Sequence, residues 1–145
     1  MTLTGTVAQL GTVVYAQVGV ATRPAAGSLS TGTERLRVDE ELVPGKIRNS
    51  NGPMINEQLD RMGIKYKSYG MLADDLEACT NTVKQALEET DLLITTGGVS
   101  VGDYDYLPTI YEQLGAKVLF NKVAMRPGSV TTVAVLGEKL LFGLS

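Results

Sequence analysis

Asp91-Leu-Leu-Ile-Thr-Thr-Gly-Gly-Val-Ser-Val-Gly-Asp103 is the stretch whose reading decides the fold. Leu92 to Thr95 form a short apolar, partly β-branched run, and the glycines behind it predict a buried strand that stops near Thr96. Gly97, Gly98 and Gly102 permit backbone conformations and close approaches that a side chain would block, while Ser100 adds a hydroxyl and Asp103 a carboxylate. Downstream, Leu107, Ile110, Tyr111 and Leu114 fall on one helical stripe. Strand, glycine loop and helix in that order place the loop at the carboxyl end of a strand, where open α/β sheets bind ligands and helix-start amides favour anions. Glycine alone would be explained by a tight connection, but three glycines, a serine and two acids exceed what a turn needs.

Three familiar motifs fail here. The glycine spacing does not fit a dinucleotide fingerprint. Gly97 and Gly102 match the glycines of a P-loop, but Asp103 and Tyr104 stand where Lys and Ser or Thr are required. Gly98-Val-Ser-Val-Gly102 has the spacing of a nucleophile elbow, yet the chain has no histidine to serve as its base. Ser100 is therefore expected to act as a hydrogen-bonding residue.

The chain has 145 residues, 43% of them hydrophobic, a length for one domain with a real core. No apolar run is long enough to span a membrane and no secretion signal opens the chain, so a cytoplasmic protein is expected, with no membrane partner. Cys79 is the single cysteine, which excludes an internal disulfide and, with histidine absent, makes a zinc site a poor fit; an oxygen-held, Mg²⁺-like ion is the metal class that remains. A net charge of −3 argues against nucleic acid, and any attraction for an anion must be local, from backbone amides and placed cations such as Lys122 and Arg126.

Outward from the centre, residues 1–22 carry strand-forming residues with weak punctuation and are expected to belong to a neighbouring domain or a linker. Arg23-Pro24 marks a boundary. Ala25 to Ser30 predicts a short strand, and the charged stretch from Thr31 and Gly32 to Glu41 a solvated loop. Asn49, Ser50 and Asn51 all suit a helix start; one suffices as cap, leaving others to meet a ligand. That helix is expected to turn Ile55, Leu59 and Met62 inward and to end at Gly63, ahead of a strand over Ile64 to Leu72. A second helix is expected with Asp74 as N-cap, Asp75 in its first turn, and Leu76, Cys79, Val83 and Leu87 inward. Capping and the helix dipole suffice for both acids; binding of a hydroxyl, an amine or Mg²⁺ is the functional alternative. Ala116 to Met125 predicts a strand, Arg126-Pro127-Gly128-Ser129 a turn, and Val130 to Val135 and Lys139 to Leu144 the rest of a β-meander. The chain stops after a strand that reads as internal, and truncation at the C-terminal end is expected.

These elements together resemble the molybdenum cofactor biosynthesis domain, within it the third domain of the molybdenum-inserting transferases to which the gephyrin E domain is related. The likeness spans residues 23–145. It is carried by Thr95-Thr-Gly-Gly-Val-Ser-Val-Gly-Asp-Tyr-Asp-Tyr106, with Ser30-Thr-Gly-Thr-Glu34, Gly45-Lys-Ile-Arg-Asn-Ser-Asn51, Asp74-Asp75 and Lys122-Val-Ala-Met-Arg-Pro-Gly128. The resemblance implies a three-layer α/β/α sandwich with a mostly parallel sheet. It also implies a reaction in which molybdate enters adenylylated molybdopterin and AMP leaves, with Mg²⁺ as cofactor and a homodimer in the full-length protein. By that likeness Thr31, Gly32, Asn49, Ser50, Asn51, Gly97, Gly98, Ser100, Gly102, Lys122, Arg126 and Pro127 bind substrate. Asp74, Asp75 and Asp103 are the catalytic acids, and Asp74 and Asp103 the metal ligands. This chain alone is expected to bind pterin with little or no turnover. A single-domain molybdopterin adenylyltransferase and a non-catalytic pterin-binding or scaffold module remain open alternatives.

Ser100→Ala and Gly98→Val are expected to weaken pterin binding without unfolding the domain; calorimetric titration giving unchanged affinity for both would remove the glycine loop from the site.

Overall fold

The computed structural model describes residues 4–32, 34–72, 75–97, 106–126 and 128–144. In chain order these form α1 (Thr4–Thr12), β1 (Ala26–Thr31), β2 (Arg35–Leu36), β3 (Ile47–Arg48), α2 (Asn51–Arg61) and β4 (Tyr66–Leu72). Then follow α3 (Leu76–Glu89), β5 (Leu92–Thr96), α4 (Tyr106–Gln113), β6 (Lys117–Phe120), β7 (Thr131–Leu136) and β8 (Lys139–Leu144). Six strands make one sheet in the order β4-β1-β5-β8-β7-β6, and β2 pairs with β3 apart from it. The first four in that order run parallel, while β7 is antiparallel to both β8 and β6. The expected meander is present and closes one side of a mostly parallel sheet.

Strand alternation sends successive side chains to opposite faces, and the two faces have different partners. Leu29 and Leu93 join Cys79, Val83 and Leu87 of α3 and Ile110 and Tyr111 of α4 in the main apolar cluster. Ser28 and Ser30 point the other way, to α2. Helices thus lie on both faces of the sheet, as a three-layer fold requires. β1 leads through α2 to β4 on one side, and α3 carries the chain back past β1 to β5 on the other. The connections diverge at the carboxyl ends of β1 and β5, which makes that point the topological switch where such sheets leave a crevice.

Several expectations need correction. The first 22 residues hold strand-forming types, yet Thr4–Thr12 is a helix with no buried residue. The stretch expected to be a solvated loop contains β2, because Ile47 N–H donates to Glu34 O and Asn49 N–H to Leu36 O, closing a short parallel ladder. Met62 is not inward: α2 ends one residue earlier, and Met62 as C-cap is 63% exposed. The strand expected over Ala116 to Met125 is only Lys117–Phe120; beyond it Val123 N–H donates to Ser129 O, which folds the chain into a loop. The cap of α3 shifts by one residue, since Asp75 is the N-cap and its Oδ1 accepts from Ala78 N–H at 2.6 Å.

At the other end of α3, Glu89 receives three hydrogen bonds, from Lys67 and Tyr69 of β4 and from Gln85. Those donors, Lys67 first, pull its carboxyl from 4.5 down to about 2. Burial and the same carboxylate push the Tyr69 phenol up. A carboxyl whose pKa is depressed in the folded state stabilises above its unfolded value and loses that contribution as pH falls through the folded one. The difference in thermal midpoint between the protein and its Glu89→Gln variant is therefore expected to be largest above about pH 5 and to vanish near about pH 2; a difference independent of pH would refute the assignment.

Candidate functional site at the carboxyl ends of the strands

Register aligns the ends of the central strands: Ser30 pairs with Thr96, Thr96 with Leu144, and Leu144 with Thr131, while Thr31 pairs with Leu72 of β4. The start of α3 after β4, the residues after β5 and the loop after β6 all leave the sheet at this end. Across the switch point the hydroxyls of Ser30 and Thr96 are hydrogen bonded at 2.9 Å. Asn49 Nδ2 donates to Ser30 Oγ at 3.0 Å, and Asn49 Oδ1 accepts from Gly52 N–H at 3.2 Å. Asn49 therefore does the capping; Ser50, formally at the helix boundary, makes no side-chain cap bond. A side chain at Gly52 would press to 3.0 Å from Asn49 Nδ2 and 3.2 Å from Ser30 Oγ, so glycine is what lets α2 sit this close to β1.

At the end of β5 the chain turns away with Gly97 at φ +78°, where a Cβ would collide with the carbonyl oxygen of Thr31. No other residue fits that conformation and that contact together. The expectation that the central glycines permit close approach holds at Gly97. Gly98, Ser100, Gly102 and Asp103 lie outside the described residues, as do Asp74 and Pro127.

Next to this point opens a cleft of about 600 Å³ between α2 and the edges of β1 and β4. Its polar lining is mostly uncharged: Ser30, Asn49, Asn56 and Ser68, with Arg37 and Asp39 contributed by the stretch between β2 and β3. That stretch is held by Arg48, whose Nη1 donates to the carbonyls of Val38 at 2.6 Å, Glu40 at 2.9 Å and Arg37 at 3.3 Å. Ser28 donates to Asn56 Oδ1 at 2.7 Å, fixing the amide on the cleft wall.

Of the expected site residues, Thr31, Gly32, Asn49 and Gly97 are gathered at the switch point. Ser50 is exposed and Asn51 half-buried at the start of α2. Asp75 is committed to capping α3 through one carboxylate oxygen. Lys122 and Arg126 follow β6 at the same end of the sheet but at its far edge, exposed; among the described residues no hydrogen bond or ion pair joins them to the switch point. No group of three or more acids, cysteines or histidines that could hold a metal occurs among the described residues. The expected metal ligands Asp74 and Asp103 lie outside the described residues. No described helix is long and apolar enough to cross a membrane.

Sequence reasoning missed Ser28, Asn56 and Arg35. The first two were legible, since Ser28 and Ser30 alternate onto one strand face and Asn49, Gly52 and Asn56 share one helix face. Arg35 gave no signal. Its side chain is only 14% exposed, and its Nε and Nη2 lie 3.2 Å from where a Gly97 Cβ would stand. Nε is 3.4 Å from Glu34 Oε1, an ion-pair distance, but the geometry makes no hydrogen bond and Nε is left buried without an acceptor. Thr31 Oγ1 is likewise buried without a partner among the described residues. Each such group costs about 1–3 kcal/mol unless something else satisfies it.

Strand order, switch-point crevice and buried unsatisfied donors define an open α/β ligand-binding domain. Residues 27–145 match the family described as "Probable molybdopterin binding domain", and the chain belongs to that family. It is 56% identical over 141 residues to the molybdopterin molybdenumtransferase of Staphylococcus epidermidis, covering 97% of this chain and 34% of that protein. Against the molybdopterin molybdenumtransferase of Bacillus subtilis the identity is 55%, with 97% and 33% covered. Among solved structures, the molybdopterin biosynthesis MoeA protein from Pyrococcus horikosii superposes with a TM-score of 0.72 at 27% identity, covering 96% of this chain and 34% of that one. The chain spans about a third of the length of these curated relatives.

Asn49→Ala removes both the α2 cap and the amide bond to Ser30. It is expected to lower the unfolding free energy by about 0.5–2 kcal/mol in denaturant titration, and an unchanged midpoint would show that Asn49 does not fasten α2 to the sheet.

Proposed function

We propose that this chain is the pterin-binding part of an enzyme of molybdenum cofactor biosynthesis, in which molybdate is inserted into adenylylated molybdopterin and AMP is released. What carries this reading is the meeting of two surfaces: a backbone turn at Gly97 with buried donors beside it, and a cleft lined by amides and hydroxyls. A pterin is a flat heterocycle rich in amide-like donors and acceptors, and groups such as Asn49, Asn56 and Ser68 can match it without placing a net charge against it. Its phosphate and the incoming molybdate are anions and belong at the carboxyl ends of β1 and β5.

The chain has no histidine, and Cys79 is buried in the α3–α4 core. Its own contribution is to bind, orient and stabilise charge rather than to attack. In this reading Thr31, Gly32 and Gly97 hold the anionic end, and Lys122 and Arg126 bring positive charge from the loop after β6. Asp74, Asp75 and Asp103 are the acids of the reaction. A divalent cation such as Mg²⁺, held by Asp74 and Asp103, would neutralise charge on the phosphoanhydride. A homodimer of the full-length protein would complete the site. The identity of 54–56% to curated molybdenumtransferases supports this reaction over adenylylation.

A second reading, a pterin-binding module without turnover, is favoured by the apolar surface left open. Phe120 and Leu140 are 43% and 40% exposed, and no α1 residue is buried.

Incubation with molybdopterin is expected to give binding by calorimetry, and supply of adenylylated molybdopterin and molybdate to release AMP. ATP-dependent adenylylation of molybdopterin would overturn the transferase assignment, and binding without either product would establish the module.

A further inference from the structure

Two polar groups at the ends of β1 and β2, Thr31 Oγ1 and Arg35 Nε, are buried without partners among the described residues, and the Thr31 carbonyl and the Arg35 guanidinium both lie against Gly97. Thr31 is 6% exposed and its Oγ1 has no hydrogen-bond partner among the described residues. Arg35 sets its guanidinium against the backbone of Gly97, with Nε buried and lacking an acceptor. Glu34 supplies only a nearby charge: its carboxylate is folded over Gly32 and its side chain is 49% exposed. A guanidinium held in this way keeps a planar fork of donors fixed in place, the arrangement that suits bidentate capture of a tetrahedral oxyanion. Burial strengthens such an interaction relative to water. In a molecule of net charge −3 the attraction for an anion has to be local, and a cation of this kind supplies it.

We propose that Arg35 and Thr31 form an anion seat at the switch point, taking one tetrahedral dianion, either the phosphate monoester of the ligand or a metal oxyanion such as molybdate. The guanidinium edge and the Thr31 hydroxyl donate to its oxygens, and the Glu34 carboxylate, which has solvent on its other side, moves off Arg35 when the anion arrives. Only the naming of the anion rests on the pterin reading; the seat itself rests on the unsatisfied donors. Arg35 is thereby a binding and positioning residue, for which lysine supplies the charge but not the planar fork.

Calorimetric titration of the 145-residue chain with inorganic phosphate, with molybdate and with molybdopterin tests this. Arg35→Met is expected to weaken binding of the anion about tenfold or more, Arg35→Lys by less, and Thr31→Val by about threefold, with thermal midpoints measured alongside. Should Arg35→Met fail to fold, Arg35→Lys and Thr31→Val carry the comparison. Weakening for molybdate but not molybdopterin supports the seat with a metal oxyanion as occupant, and the reverse supports it with the phosphate monoester. Unchanged affinities for all three probes in folded variants overturn the seat while pterin binding stands. Arg35-dependent binding of phosphate or molybdate with no binding of molybdopterin keeps the seat and removes the pterin reading.

Discussion

The structure depends on one small hydrogen-bonded group: the hydroxyls of Ser30 and Thr96 joined across the pair of central strands, with the amide of Asn49 bound to the first of them. Each bond is worth only about 0.5–1.5 kcal/mol net, but together they set the spacing of three elements at the point where the chain reverses its direction of travel across the sheet. Because Asn49 also caps α2, the same side chain that fixes the cleft wall starts the helix behind it. Gly52 removes the one Cβ that would hold strand and helix apart. The cleft is thus a consequence of how α2 is fastened, not an opening left by poor packing.

The opposite face is packed mainly with apolar side chains. Leu29 and Leu93 from the sheet, Cys79, Val83 and Leu87 from α3, and Ile110 and Tyr111 from α4 make a continuous apolar layer. Burial there supplies the stability that lets the other face and the strand ends carry unsatisfied donors and a glycine with positive φ. The division is consistent with a domain that keeps a rigid sheet and places its chemistry on the loops beyond it. The excursion between β1 and α2 follows the same rule, since Arg48 gathers three backbone carbonyls and so holds Arg37 and Asp39 over the cleft without a hydrophobic core of its own.

Where sequence expectation and structure part, the differences are small in distance and larger in consequence. The α3 cap falls on Asp75 rather than Asp74, and this one-residue shift commits Asp75 to Ala78 N–H. Helix ends are poorly specified by local pattern because either of two adjacent aspartates satisfies the same capping rule. The short β2 was invisible for another reason: a two-residue parallel bridge has no periodicity to detect, and Arg35 reads as one more surface charge in a charged stretch. Thr4–Thr12 forms the helix α1 although it contains threonines and glycines, which are weak helix formers, and buries none of its residues.

The amino-acid sequence by itself determined the succession of the six strands of the main sheet and of α2, α3 and α4, and the existence of the site's principal turn. The apolar run before Gly97, the stripes of α3 and α4 and the turns of the meander are local patterns with local causes, and each leaves its mark within a few residues. The tertiary structure alone decided which of those residues meet. Ser30 and Thr96 are 66 positions apart and touch only because α2 and α3 carry the chain to opposite sides of β1. Arg35 becomes a cation beside Gly97 by the same route. Strand order is fixed by the burial of whole faces rather than by any short stretch, so the neighbours it creates have no local signature to read.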